Sequence, residues 1–331
     1  MCLRDSNHSS HTLWLLRSGT DPSYFSPLEV AWPLHGKFAK KSNARIDAYY
    51  KALDFKSPIP SGAVRSGILF VNPHRGTYVL NVDLLGQRSI YPFTLFLPIP
   101  GEHNTLAHKT LVRLTESGQK NYQSAESFRT ALEQLPCCAS DGDPANMVFV
   151  GDVNDFAAAL IRRGYRTEQY AGDTRQRIFE RPPDIVLRKR GQGGVPANWL
   201  RMWVAPLRYQ GQPVVLVQSG RPMGGRFAVA DSNELQLHPN VDESRNLLIQ
   251  DLMYSGGLGR LGFVAGAGPV PGTSADNTDS DSRYHTDGLR AVLFFVTRPL
   301  AISDIEILDW VPILQQREVE ATTRNANKTG E

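Results

Sequence analysis

No uninterrupted apolar run in this chain of 331 residues is longer than AVLFFV, Ala291–Val296. That limit shapes everything the chain can fold into. A bilayer-spanning helix needs about 20 consecutive apolar residues, so no transmembrane segment is expected. A run this short, preceded by Asp287–Gly288 and closed by Thr297, suits a strand buried on both faces. Others of the same kind follow one another: NMVFVGD (146–152), PDIVLRKR (183–190), NWLRMWVAPL (198–207), QPVVLVQSG (212–220) and LGFVAG (261–266).

Three helices interrupt them. SAESFRTALEQL (124–135) places Ser124 as N-cap before Phe128, Leu132 and Leu135 at helical spacing. DVNDFAAALIRRGY (152–165) ends at Gly164 as a C-cap. PNVDESRNLLIQDLMYSG (239–256) opens with Asn240 and Glu243 in a capping-box arrangement. Strands in a run with a few helices indicate an α+β domain built on a mixed sheet, expected over residues 124–318. The polar residues 319–331 are expected to be a disordered tail.

The first third is β-rich. HTLWLL (11–16), SGILFVN (66–72), TYVLNVDLL (77–85) and YPFTLFLPIPG (91–101) read as strands separated by the turns PHRG and GQRS. Tyr78, Leu80, Val82 and Leu84 alternate onto one face, and the prolines of the last segment favour a sheet edge. A sandwich needs about seven strands. Residues 1–123 therefore read as a sandwich-like domain missing its first strands.

Composition excludes little else. At 41% hydrophobic and 21% charged the chain is an ordinary globular one, long enough for about two domains. A net charge of +3 makes no strong case for nucleic acid or for an anionic membrane surface. The short basic clusters Lys37–Lys41 and Arg188–Arg190 read as solvated faces. Cys2, Cys137 and Cys138 show neither C-x-x-C nor zinc spacing. The adjacent pair reads as two reduced, half-buried thiols, with a strained vicinal disulfide as the other reading. The first residues lack the apolar core of a signal peptide, which taken alone points to the cytoplasm.

Familiar motifs fail on context. GGLGRLG (256–262) has a helix before it and a strand after it, the reverse of a dinucleotide site, and reads as a glycine C-cap and turn. DNTDSDSRYHTD (276–287) has Asp281 where a calcium loop needs glycine. The histidines are scattered, and there is no H-E-x-x-H, G-x-S-x-G or P-loop. No metal and no cofactor is implied.

The 239–256 helix holds one oddity. Val241, Leu248, Ile249 and Leu252 share a quadrant, and Arg245 falls inside it. Either Arg245 snorkels from the first turn into water, or it is buried and matched by carboxylates. Asp242, three residues earlier, is one partner. Asp184 and Asp287 are the candidates from other segments.

Several blocks together resemble the LssY-like C-terminal domain family: DPSYFSPLEVAW, LPCCASDGDPANMVFVGD, RRGYRTE, LRMWVAPLRYQGQPVV, PNVDESRNLLIQDLMYSGGLGRLGFVAG and YHTDGLRAVLFF. The resemblance covers nearly all of the second domain. It implies association with the cell envelope, since relatives carry the domain behind a multi-span membrane region or an export segment. It also implies that relatives begin earlier, which weakens the cytoplasmic reading. No biochemical activity is established for the family, so none is implied.

Residue by residue, the resemblance implies kept polar positions at Arg181, Asp184, Arg201, Arg221, Asp242, Arg245, Asp251 and Asp287. It implies changes at Glu180 (glycine expected), Trp199 (histidine), Pro222 (aspartate), Leu235 (histidine) and His238 (aspartate). The expectation is an accessory or binding module whose Arg181, Asp184, Arg201, Arg221 and Arg245 take an anion such as a lipid phosphate. Its partner would be an anionic lipid headgroup or a membrane protein, not nucleic acid. Two alternatives stand beside it. One is a hydrolase of phosphate or other esters, with His238 or His285 as acid–base beside Asp242 or Asp287. The other is a purely structural protein–protein module.

Overall fold

A computed structural model describes residues 2–16, 24–71, 77–86, 88–98, 112, 115, 119–140, 143–167, 175–190, 196–221, 240–268 and 284–311. His238, the acidic stretch 276–283 and the tail 319–331 lie outside the described residues. The chain divides into two compact units, Met1–His103 and Asn104–Glu331.

The first unit is β-rich, with its strands sorted into three small antiparallel sheets. One pairs β1 (Cys2–Ser6) with β4 (Val64–Ile68). Another pairs β3 (Tyr24–Phe25) with β5 (Phe70–Val71). The third runs β2 (Leu13–Leu16), β6 (Thr77–Gly86), β7 (Ser89–Pro98). The proline-bearing β7 is its edge, as a strand with missing N–H donors must be. Tyr78, Leu80, Val82 and Leu84 of β6 are buried with Leu15, Phe55, Ile59 and Leu69. Two helices accompany the sheets, α1 (Pro27–Ala31), continued by a 3-10 turn Trp32–Leu34, and α2 (Lys40–Leu53). The sequence does not announce α2: its N-cap is Ala39, without a side-chain hydrogen bond, and none of its residues is buried.

The second unit holds a nine-stranded mixed sheet. In space it runs β10 (Tyr165–Thr167), β11 (Ile185–Arg190), β12 (Pro196–Tyr209), β13 (Gln212–Gly220), β9 (Met147–Val150), β15 (Leu289–Phe295), β14 (Leu258–Ala265), β16 (Glu306–Ile307). The ninth strand, β8 (Lys120–Tyr122), runs parallel to the far end of β12. The boundary between the units therefore falls ahead of β8 and not at residue 123 as expected. Most neighbours are antiparallel, but the central β9–β15 pair is parallel. Both are buried throughout, as the continuous apolar runs require.

Among the described residues three helices cover this sheet. Register and alternation put Trp203, Leu216, Val148 and Val292 on one face. There they pack with Phe128 and Leu132 of α3 (Ala125–Glu133). On the other face Phe149 and Phe295 meet Phe156 of α4 (Val153–Arg162). The same face takes α5 (Val241–Met253), whose Ser244 hydroxyl donates to the Ser219 carbonyl at 3.0 Å. Each fully buried large side chain, such as Trp203 or Phe149, stabilises the fold by about 1.5–3 kcal/mol. Gly256, at φ +72, closes α5 and turns the chain into β14, the sense expected of GGLGRLG.

Candidate functional site

The oddity in the α5 pattern is resolved by its surroundings. Arg245 is 3% exposed. Its two terminal nitrogens donate to both carboxylate oxygens of Asp287, each at 2.8 Å. One of them also donates to the Leu289 carbonyl at 2.8 Å and lies 3.4 Å from Asp242. The Phe263 ring lies 5.5 Å from the guanidinium carbon. Asp242 is itself saturated, accepting from the Thr286 hydroxyl and the Asp287 N–H, both at 2.7 Å. This is an ion-pair knot, buried at Arg245 and exposed at Asp287, that ties the first turn of α5 to the start of β15.

Among the described residues the Asn240 side chain caps the start of α5. Asn240 accepts from the N–H groups of Asp242 and Glu243, both at 3.2 Å. Glu243 does not return the hydrogen bond of a capping box; it pairs with Arg221 at 2.6 Å. The last turn is pinned separately, by Asp251 to Arg163 at 3.1 Å, to Lys189 and to the Tyr165 hydroxyl. Burial, then the nearby Asp251 charge, raises the Tyr165 phenol well above its ordinary range, so it stays neutral and can donate to Asp251.

The remaining expected residues do not join the knot. Asp184 pairs with Arg181 at 3.1 Å and accepts from the Val204 N–H at 2.7 Å. Arg181 donates to the Val204 carbonyl, so this pair clips the start of β11 to the middle of β12. Burial raises the Asp184 carboxyl, against the lowering effect of the Val204 N–H and Arg181. Glu180, where the resemblance implies glycine, has φ +62, the left-handed region that glycine favours. His285 joins the helix start through its backbone carbonyl, which accepts from Val241 at 3.4 Å. Thus Arg245, Asp242 and Asp287 come together. Arg181 with Asp184, and Arg221 with Glu243, form separate pairs.

Arg201 is different in kind. It lies on the α3 face, between Trp199 and Trp203 on β12 and opposite Gln218 on β13. It donates to the Gln218 side-chain carbonyl at 2.8 Å, lies 3.5 Å from Asp143, and its guanidinium stacks 4.1 Å from the Trp199 ring centre. Trp199 in turn lies flat on Gly220, where a Cβ would come within 2.1 Å of the indole. Among the described residues two donors here lack an acceptor: Trp199 Nε1 and Gln218 Nε2 are buried and unbonded. Their residues are 2% and 1% exposed. Beside a cation already engaged by Gln218 and Asp143, these two buried N–H groups have unused donor capacity.

Sequence reading missed two further features. Arg290 is 0% exposed. It donates to four carbonyls, of Leu132, Pro136, Ala145 and Gly266, at 2.6–2.8 Å. It thereby caps the C-terminal end of α3 and holds the loop that follows. Burial pushes its guanidinium down to about 10. The second feature is the company kept by Cys137 and Cys138. Both are free thiols, exposed and half-buried, with their sulfurs 2.7 Å apart. Burial, then Cys137, pushes the Cys138 thiol up to about 12, and burial pushes the Tyr284 phenol beside it to about 12.

Among the described residues no group of three or more His, Cys, Asp or Glu side chains is placed to hold a metal ion. No described helix is long and apolar enough to cross a membrane. No family model matches the chain, and no curated protein or solved structure is significantly similar to it. The LssY-like resemblance rests on the sequence blocks quoted above.

Proposed function

We propose that the second unit is a binding module that takes an anion at the Trp199–Arg201–Gln218 corner and serves as an accessory of the cell envelope. One observation carries the anion reading: two buried N–H donors without acceptors stand beside a guanidinium. Each unused buried donor costs about 1–3 kcal/mol, and an acceptor with several oxygens relieves both at once. Phosphate and carboxylate have that form, and charge-assisted hydrogen bonds to them are the strong ones. The envelope setting, and a lipid phosphate as the anion, come from the LssY-like resemblance.

The hydrolase alternative has less support. Asp242 and Asp287, its proposed partners for a histidine, are already engaged by Arg245, Thr286 and backbone N–H groups. A carboxylate so satisfied is a poor base. The Arg245 knot is read as structural, and Arg201 as the arginine that meets the ligand.

Calorimetric titration of the full chain with inorganic phosphate, sulfate and short-chain phosphatidic acid tests this. Binding is expected, with Arg201→Ala and Gln218→Leu each weakening it by more than about tenfold, or ~1.4 kcal/mol. Gln218→Leu also removes the acceptor that Arg201 uses at 2.8 Å, so its thermal midpoint is read alongside the binding. Heat flat across the whole panel, or affinity unchanged in both variants, would end the proposal.

A further inference from the structure

The first unit presents a surface that the anion corner does not use. Leu28, Trp32, Leu34 and Phe38 are 53%, 68%, 54% and 102% exposed. All four come from α1, the 3-10 turn and the loop leading into α2. Singly exposed apolar residues are ordinary, but large ones gathered in so short a stretch mark an interaction surface. Phe38 also sits at φ +63. A bulky side chain adopts that backbone only at a cost, and here it stands wholly in solvent.

The rim of this surface is basic. Lys37, Lys40, Lys41 and Arg45 are all exposed, and among the described residues none of them makes an ion pair. The acids of the same segment are engaged by local partners, although Glu29 is exposed and Asp47 half-buried. Glu29 accepts from the Ser26 N–H at 2.6 Å, closing the cap of α1. Asp47 pairs with His35 at 2.7 Å, tying the turn to α2. Charge and apolar exposure therefore coincide on one short helical hairpin, whose α2 buries no residue.

We infer that this hairpin docks the first unit on an anionic bilayer surface. Trp32, Leu34 and Phe38 enter the boundary between headgroups and acyl chains, where Trp is favoured. Lys37, Lys40, Lys41 and Arg45 lie against the acidic headgroups. A purely apolar protein groove would not call for the basic rim, and a second copy of the same positive face would be repelled by it. The inference stands on the first unit alone and does not depend on the anion corner.

Co-sedimentation of the full chain with vesicles separates the outcomes. Phosphatidylcholine vesicles containing phosphatidylglycerol should bind it, less so at high salt, and vesicles of phosphatidylcholine alone should not. Trp32→Ser with Phe38→Asn should weaken binding by at least about tenfold; asparagine is chosen because it tolerates the left-handed backbone. Lys37→Gln, Lys40→Gln and Lys41→Gln together should weaken it by about a hundredfold. Both sets change exposed side chains, so thermal midpoints should hold, and Arg201→Ala should bind vesicles as the parent does. The inference is overturned by equal binding to both vesicle types, by no binding, or by binding that survives both sets of changes. Vesicle binding lost in Arg201→Ala would move the lipid contact to the anion corner. A dimer that the Trp32/Phe38 variant dissolves would assign the surface to a second copy.

Discussion

On the α5 face of the large sheet, Arg245 meets two carboxylates and a carbonyl. On the α3 face, Arg290 meets four carbonyls, and Arg201 meets an amide, an indole ring and a carboxylate at 3.5 Å. All three guanidiniums are largely withdrawn from water, yet their chemistry differs. A guanidinium matched by carboxylates has spent its charge within the fold. One matched by neutral groups keeps its charge, and the burial that drives Arg290 down to about 10 is the cost of doing so. The contrast teaches that burial of an arginine says nothing of its role until the charges of its partners are known.

Substitutions can break this contrast, and the α3 face should give the largest effect. Arg290→Met strips donors from four carbonyls and should lower stability by on the order of 4 kcal/mol, read from the urea midpoint. Lysine at that position, with fewer donors and no planar fork, should recover only part. Next comes Arg245→Met, expected to cost about 3 kcal/mol because it leaves Asp242 and Asp287 facing each other without a cation. Adding Asp242→Asn and Asp287→Asn should restore much of that loss. If the triple variant were as unstable as the single one, packing and not charge would be what Arg245 supplies.

Asp155, on α4 and so on the same face as Arg245, lacks an arginine partner of that kind. Burial pushes its carboxyl up to about 6, with the Thr297 hydroxyl at 3.0 Å opposing the shift. The folded chain therefore binds the proton before the unfolded chain does. Stability from this group is greatest below the ordinary carboxylate range and is lost as pH rises through about 6. The change should be on the order of 1 kcal/mol, and Asp155→Asn should flatten it in thermal scans taken between acid and neutral pH. Arg201→Ala should cost only about 1 kcal/mol, mainly its stacking on Trp199, while removing anion binding. A stability loss as large as that of Arg245→Met would place Arg201 among the structural arginines. The smallest effect has the opposite sign: Glu180→Gly should gain about 0.5–1 kcal/mol by relieving a left-handed backbone.

The central strands and α3, α4 and α5 were legible because each is a short apolar run or a periodic stretch bounded by glycine, proline or a capping side chain. NMVFVGD and QPVVLVQSG became β9 and β13, and Ser124, Asp152 and Asn240 cap their helices. The α2 helix was not legible, since KKSNARIDAYYKAL has neither a capping side chain nor a strong apolar stripe. For Arg245, periodicity placed the charge in the apolar quadrant and left burial or snorkelling open, while two of its carboxylates could be named. Asp184 was not one of them, because pairing across a sheet depends on register, which one sequence does not contain. Arg290 carried the same signal as Arg245, a charge inside the apolar stretch LRAVLFF, and went unread because its partners are backbone carbonyls with no side-chain signature. The free donors on Trp199 and Gln218 could not have been read at all, since whether a hydrogen bond is made is decided only by what folds beside it.

The sheet's midline has a consequence for how the chain is made. Ala145 and Arg290, joined where β9 and β15 begin, are 145 positions apart. At ribosomal speeds of about 5–20 residues per second, β9 waits roughly ten seconds or more for its parallel neighbour. Until β15 arrives, one margin of a strand that is apolar on both faces stays unzipped, and a stalled or truncated product would carry it as a sticky edge. Nascent chains of this protein should lean on chaperones over that interval far more than the finished molecule does.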